Sequence, residues 1–133
     1  MNYYRPEDVA PPRATYTHAI RVRGQLIFVS GQVPVDVDGN LVGRDDVRLQ
    51  AEQVFHNPKR VLAFAGAGFE HVVKMTAFVV GRRHVDAFRR FRGELFEELY
   101  PSGDYPTTTF LVVDGLASPD FLVEIEAIAA LEE

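Results

Sequence analysis

Two carboxylates, Glu124 and Glu126, alternate with apolar residues in the last part of the sequence and are its clearest candidates for chemistry. A carboxylate beside apolar walls tends to have a raised pKa, because burial disfavours the charged form, and it can then act as a general acid or base. The same residue could instead be a structural acceptor at a subunit interface, since perturbed carboxylates also occur in ion-pair networks. The sequence leaves both roles open for Glu124.

The sequence gives little support for thiolate, metal or phosphate-binding centres. The chain has no cysteine, so it has no disulfide, thiolate nucleophile or thiolate metal site. Its four histidines lack the i, i+4 helical spacing of metal ligands, and no glycine-rich phosphate loop opens a helix. We therefore expect neither a metal nor a cofactor. His18 alone is of interest, because two residues after Tyr16 it would share that residue's face of a strand.

Charge and hydropathy narrow the classes of partner. The net charge of −5 argues against binding to nucleic acid, whose affinity for proteins comes largely from lysine and arginine. One arginine cluster is followed at once by glutamates, which is typical of a solvated helix face; it comprises Arg82, Arg83, Arg89, Arg90 and Arg92. No apolar run reaches the roughly 20 residues that cross a bilayer. We expect a soluble, cytoplasmic protein with a single domain over residues 1–133.

Hydrophobic periodicity predicts the elements that position these residues. Strands at 16–22 and 25–30 form a predicted hairpin, a helix at 47–65 is capped by Asp45 or Asp46, and Pro58 should kink or break it. A strand at 76–80, a second amphipathic helix at 84–100 and two final strands follow. This order predicts an α+β fold, one mixed β-sheet with two helices on one face.

The last predicted strand, 121–131, indicates an oligomer. Its odd positions are all apolar and should face the helices, whereas its even positions mix two carboxylates with aliphatic residues. That mixture suits neither a dry core nor an ordinary wet surface, so we expect a subunit interface there. Closed homo-oligomers cover such a face by symmetry.

Three segments carry a resemblance to a known family. They are Val-Ser-Gly-Gln-Val-Pro at 29–34, Tyr-Pro-Thr-Thr-Thr-Phe at 105–110 and Leu-Val-Glu-Ile-Glu-Ala-Ile-Ala at 122–129. Together they resemble the Rid family (reactive intermediate deaminases, also called YjgF-like or L-PSP proteins) over nearly the whole chain. The resemblance implies a chorismate-mutase-like homotrimer with three small-molecule clefts between subunits.

The same resemblance assigns roles to individual residues. It places Tyr16, Ser30 and Gly31 at the cleft, with the glycine letting backbone approach the ligand, and it matches Glu124 to the glutamate that orients the attacking water. From the residues alone, Gly31 could simply permit a tight bend and Tyr16 could simply pack. Ser30 has no evident histidine and acid arranged as a nucleophile triad.

The chain departs from the family pattern in two places. Thr108 stands where the deaminating members carry an arginine that makes a two-pronged salt link to the substrate carboxylate, which a hydroxyl cannot copy. Phe110 replaces a cysteine of many relatives and should make the cleft smaller and more apolar. Arg89 falls where relatives often have a cleft asparagine, and it could take over anion binding or remain solvent-exposed.

Two main function classes follow. One is an interface hydrolase, deaminase-like, acting on a small imine, enamine or amide-like metabolite, with weak or absent activity on standard 2-imino acids. The other is a trimer that binds a small molecule without turnover. A ribonuclease or translation inhibitor ranks last, since only a family label and the arginine cluster support it.

Overall fold

The computed structural model describes residues 1–132 and contains six strands and two α-helices in this range. The strands are β1 (Asn2–Tyr4), β2 (Ala19–Arg21), β3 (Gly24–Gln32), β4 (Val72–Val80), β5 (Thr107–Val113) and β6 (Val123–Glu132). The helices are α1 (Val47–Phe64) and α2 (Val85–Leu99). Neither helix is long and apolar enough to cross a lipid bilayer.

Four strands form one mixed sheet in the order β3-β6-β4-β5. β6 is antiparallel to both of its neighbours, whereas β4 and β5 are parallel. A parallel pair needs a crossover connection, and α2 supplies it between β4 and β5. The expected mixed sheet with two helices on one face is confirmed, and β5 forms one edge of it.

The alternation predicted for the last strand is also confirmed. Val123, Ile125, Ala127 and Ala129 of β6 are at most 4% exposed and contact the hydrophobic core under the helices. The core is rich in aromatic rings, with Phe55 of α1 lying within 6.4 Å of the rings of Phe69, Phe88, Phe91 and Phe96. Within residues 1–132 no helix packs on the opposite side of the sheet, which we call the open face.

The predicted hairpin is wrong. β2 begins at Ala19, later than expected, and pairs with the unforeseen strand β1, whereas β3 pairs with β6. Gly24, between them, has a φ of +154°, and a Cβ atom there would lie 2.0 Å from the carbonyl oxygen of Leu131. Only glycine fits so close to β6, and its backbone turns the chain away from β2 into the main sheet.

Helix α1 begins as expected but does not break. Asp46 caps it by accepting a hydrogen bond from the Leu49 amide at 3.1 Å, and Gly66, with a φ of +80°, follows its end. The helix runs through Pro58, so of the expected kink or break, the break is excluded. The Asn57 side chain donates to the carbonyls of Val33 and Val35, at 3.0 and 3.1 Å, and Pro58 itself is buried. This packing outweighs the local cost of the proline.

Candidate functional site

The seven candidate residues fall into two groups on opposite sides of the sheet. Four of them, Tyr16, Arg89, Thr108 and Phe110, border one cavity of about 610 Å³ between α2 and β5. We call it the helix-side cavity. The other three, Ser30, Gly31 and Glu124, lie together at the open face. A single chain therefore does not bring all seven residues to one ligand.

Strand β5 presents Thr108 and Phe110 to the helix-side cavity. They pair with Met75 and Ala77 of β4, which are fully buried on the helix side, so all four side chains share that face. The Thr108 hydroxyl has only a long contact, 3.4 Å, to the Pro106 carbonyl. It remains able to donate to a ligand oxygen or accept from a ligand N–H group.

Tyr16 reaches the cavity from a loop, because β2 starts only at Ala19. The Thr17 amide donates to the Pro106 carbonyl at 3.2 Å and so ties this loop to the start of β5. His18 therefore does not share a strand face with Tyr16. Its ring meets the Tyr16 ring edge-on at 5.8 Å, its Nε2 lies 2.8 Å from the Ala10 carbonyl oxygen, and it does not border the helix-side cavity.

The arginines of the cluster occupy two different environments. Arg89 is exposed at the cavity wall, and its Nη2 donates to the Arg13 carbonyl at 3.3 Å. Arg92 is 3% exposed and borders the same cavity, so its interpretation as part of a solvated face is wrong. The sequence did contain the signal: Arg92 lies four residues from both Phe88 and Phe96, on the buried stripe of α2.

At the open face, Glu124 lies directly over the backbone of Gly31. A Cβ atom at position 31 would come within 1.8 Å of Glu124 Oε2, so the glycine makes room for this carboxylate. Burial, and then the negative charge of Glu126, raise the pKa of Glu124 above its ordinary value. This environment suits a group that exchanges protons.

Ser30 borders a second, smaller cavity of about 250 Å³ on the open face. Lys74, Thr76 and Glu126 line it beside the apolar Phe28. Within residues 1–132, no three His, Asp or Glu side chains cluster in a way that could hold a metal ion. The polar groups at the open-face cavity are a carboxylate, hydroxyls and Lys74, whereas those at the helix-side cavity are hydroxyls and arginines.

Comparisons with known proteins agree with this fold. The family described as "Endoribonuclease L-PSP" matches residues 7–131. A RutC family protein of Pyrococcus abyssi is 32% identical over 126 residues, covering 95% of this chain and 94% of its own. The 3-aminoacrylate deaminase RutC of Acinetobacter baylyi is 29% identical over 124 residues and covers 93% of each chain.

A solved structure has a similar fold. YyfB of Yersinia pestis, described as a Rid family protein of unknown function, superposes with a TM-score of 0.85 at 33% identity and covers 98% of both chains. The family model matches nearly the whole chain, and the fold superposes on that of this solved relative. This protein therefore belongs to the Rid family, also known as the YjgF or L-PSP family.

Proposed function

We propose that the protein is a homotrimer that hydrolyses a small imine, enamine or amide-like compound in clefts between its subunits. One observation carries the proposal: the candidate residues are divided between two faces of one sheet. Glu124 lies at the open face, and Thr108 lies on the helix side at the β5 edge. Because one chain cannot turn both side chains toward the same small ligand, a neighbouring copy would supply the other half of each cleft.

The open face has the character of a surface that a second copy covers. Phe28 is 72% exposed and Leu26 is 53% exposed on β3, and Leu111 is 42% exposed on β5. An apolar surface of this kind on an isolated chain marks an interaction site. Rotational symmetry would place the β5 edge of one copy against the open face of the next.

The proposed chemistry at Glu124 is the addition of water to a carbon–nitrogen double bond. Glu124, as the carboxylate, takes one proton from a water molecule while the oxygen of that water bonds to the imine carbon, and it then gives this proton to the nitrogen, which yields a carbinolamine. In the second step Glu124 takes the hydroxyl proton of the carbinolamine as the carbonyl forms and the carbon–nitrogen bond breaks, and it passes that proton to the nitrogen, which leaves as ammonia. Imine and water thus become a carbonyl compound and ammonia.

The substrate class follows from the β5 edge and from a relative. Thr108 is neutral, so β5 cannot hold a carboxylate with a charged fork. The relative from Acinetobacter baylyi is named for deamination of 3-aminoacrylate, which is an enamine. Enamines and their imine tautomers are therefore the first compounds to test, ahead of 2-imino acids.

Replacing Thr108 by arginine tests this substrate assignment. We expect the wild-type protein to release ammonia from 2-iminopropionate about a hundredfold more slowly than an arginine-bearing relative, because Thr108 offers no charged fork at this position of β5. Thr108→Arg should raise this rate. Equal rates for wild type and relative, measured by coupled ammonia assay, would contradict the assignment.

Mixing two inactive variants tests the shared cleft once a substrate is known. Glu124→Gln removes the proposed base, and Thr108→Trp fills the helix-side cavity. Chains of the two variants are unfolded, mixed and refolded together, with each variant refolded alone as the control. Recovery of turnover in the mixture alone supports a cleft built from two chains, whereas no recovery contradicts it.

The alternative is a trimer that binds a small molecule without turnover. Within the described residues, no carboxylate borders the helix-side cavity, so a ligand held entirely inside it has no general base beside it. Calorimetric binding of an enamine or amide without release of ammonia or carbonyl product would favour this alternative.

Ribonuclease activity is the weakest candidate. The family description contains the word endoribonuclease, and four of the five clustered arginines are exposed on and just before α2. The net charge of −5 opposes binding to a phosphate backbone. This function would be supported if the purified protein cleaved single-stranded RNA and if Arg89→Gln and Arg90→Gln abolished the cleavage.

A further inference from the structure

We propose that the helix-side cavity binds the carboxylate of a small anionic ligand through Arg92, so that helix α2 supplies the cation that β5 lacks. The proposal deepens the proposed function by naming its ligand class, and it rests on that function only in placing the ligand in this cavity. The sequence named Arg92 only as a member of the arginine cluster and not as a candidate ligand-binding residue.

The first support is the burial of Arg92 without a partner. The residue is 3% exposed, and neither its Nε nor its Nη1 has a hydrogen-bond partner within residues 1–132. A buried charge is costly unless it is paired and hydrogen-bonded, so proteins seldom leave one in this state without a use for it. A guanidinium binds a carboxylate through a pair of neighbouring nitrogens, and each pair that can do so includes either Nε or Nη1.

The second support is the charge of the cavity wall. Four arginines border the cavity, namely Arg13, Arg82, Arg89 and Arg92, and no described carboxylate does. This imbalance occurs in a chain whose net charge is −5. Burial, and then the charge of Arg89, lower the pKa of Arg92 to about 10, so the side chain stays cationic at neutral pH. The cavity therefore attracts anions.

The third support is the shape around the guanidinium. Its Cζ lies 5.6 Å from the ring centre of Phe88 and 5.4 Å from that of Phe110, and the two ring centres are 5.6 Å apart. Contact with aromatic rings keeps a guanidinium in a fixed orientation. Its nitrogens can then bind both oxygens of a carboxylate that lies in the same plane. A cavity of about 610 Å³ suits a small metabolite, and its apolar wall suits the carbon skeleton.

Binding of simple carboxylates to the intact protein tests the proposal. The probes are acetate, pyruvate and succinate at constant ionic strength, with pyruvamide as the uncharged counterpart of pyruvate. We expect at least one carboxylate to bind with a Kd below about 10 mM, and pyruvamide to bind at least tenfold more weakly than pyruvate, since hydrogen bonds to charged groups are the stronger ones. If no carboxylate binds, or if pyruvamide binds as well as pyruvate, the proposal fails.

Arg92→Met and Arg90→Met are the matched variants. Arg90 lies on the same helix, is exposed and does not border the cavity. Arg92→Met should weaken carboxylate binding by about tenfold to a hundredfold. It should also raise the ligand-free melting temperature by several degrees, because it removes an unpaired buried charge at nearly constant volume. Arg90→Met should change neither quantity.

Two further outcomes distinguish a ligand site from a structural ion pair between subunits. If a carboxylate of a neighbouring copy pairs with Arg92, then Arg92→Met will lower the melting temperature and leave probe affinity unchanged, which overturns the proposal. If Arg92→Met does not fold, Arg92→Lys keeps the charge without the fork and should bind the probes several-fold more weakly; unchanged affinity overturns the proposal.

Failure of the hydrolase proposal would look different. Carboxylate binding that depends on Arg92, without turnover of any imine or enamine, would sustain the anion site and remove the enzymatic function. Turnover of an uncharged enamine that is unaffected by Arg92→Met, without carboxylate binding, would sustain the enzyme and remove the anion site.

Discussion

At the scale of single residues, two ionisable groups stand out because the fold holds them in environments that disfavour their charge. Glu124 lies over Gly31 with Glu126 nearby, and Arg92, two of whose nitrogens have no partner, lies beside two phenylalanine rings that contact each other. Charged groups kept in such places are common at functional sites. The sequence identified the first through its family motif and missed the second, because arginine in a charged run is usually exposed.

Glu124→Gln is the variant that tests the proposed base. It keeps the shape of the side chain but cannot take a proton, so we expect turnover to fall by about a hundredfold or more. In the wild type, turnover should rise with pH through the raised pKa of Glu124, because the base must be ionised. This acid limb should vanish in Glu124→Gln. Initial rates measured across pH 4 to 9, a range of about five pH units, check both points.

Glu126→Gln is the control for that pH profile. Removing the neighbouring charge should lower the pKa of Glu124 and move the acid limb of the pH profile to lower pH.

The raised pKa of Glu124 also predicts an effect on stability. The folded state holds the Glu124 proton more tightly than the unfolded chain, so this contribution to stability is lost as pH rises through the raised pKa. At a pH above the raised pKa, Glu124→Gln should therefore melt at a higher temperature than the wild type. If Glu124→Gln keeps full turnover, the role of Glu124 is structural.

At the scale of elements, the site depends on how β5 and β6 are placed against the helices. Gln50 of α1 is fully buried, and its amide donates to the carbonyls of Gly43 and Asp120 at 3.1 and 2.9 Å. Its carbonyl accepts from the Leu122 amide at 2.7 Å. One side chain thus fixes the start of β6, two residues before Glu124.

Gln50→Leu should therefore destabilise the protein strongly. The substitution leaves one buried amide and two carbonyls without their partner, which costs about 3 kcal/mol. We expect a fall in melting temperature of roughly 10 °C, measured by circular dichroism or calorimetry. Gln25→Leu, at an exposed position of β3, is the control and should shift the melting temperature by much less. Equal shifts in the two variants would show that the Gln50 hydrogen bonds contribute little.

Much of the element pattern could be predicted because it depends on local periodicity. The alternation in β6, the stripes of both helices and the caps of α1 follow from the residues that form them. Strand pairing could not be predicted in the same way, since it depends on contacts between distant segments. Gly24 illustrates this: its sequence neighbours indicate a hairpin, whereas the space beside Leu131 decides its conformation.

The role of the candidate residues in a ligand site stays a prediction, whereas the structure shows how they are arranged. Tyr16, Thr108, Phe110 and Arg89 do border one cavity, in line with their expected place at a cleft. Their separation from Glu124 depends on which face of the sheet each strand presents, and this was not foreseen. The position of Arg92 depends on which face of α2 is buried, and its place in a run of arginines suggested exposure instead.

At the scale of the whole molecule, the proposed cleft depends on association. A single chain exposes apolar side chains on its open face and divides the candidate residues between two surfaces. Both features are explained together if the β5 edge of one copy meets the open face of another. A chain that stayed alone in solution would leave Glu124 and Thr108 with separate ligands or none.

The mass of the protein in solution is the most direct test of this central claim. Light scattering coupled to size-exclusion chromatography, at micromolar concentration and moderate salt, should give three times the 14.9 kDa mass of the chain. Phe28→Glu, which places a charge on the exposed apolar face, should reduce that mass without unfolding the chain. A wild-type mass of 14.9 kDa would contradict the claim and remove the basis for a cleft shared between subunits.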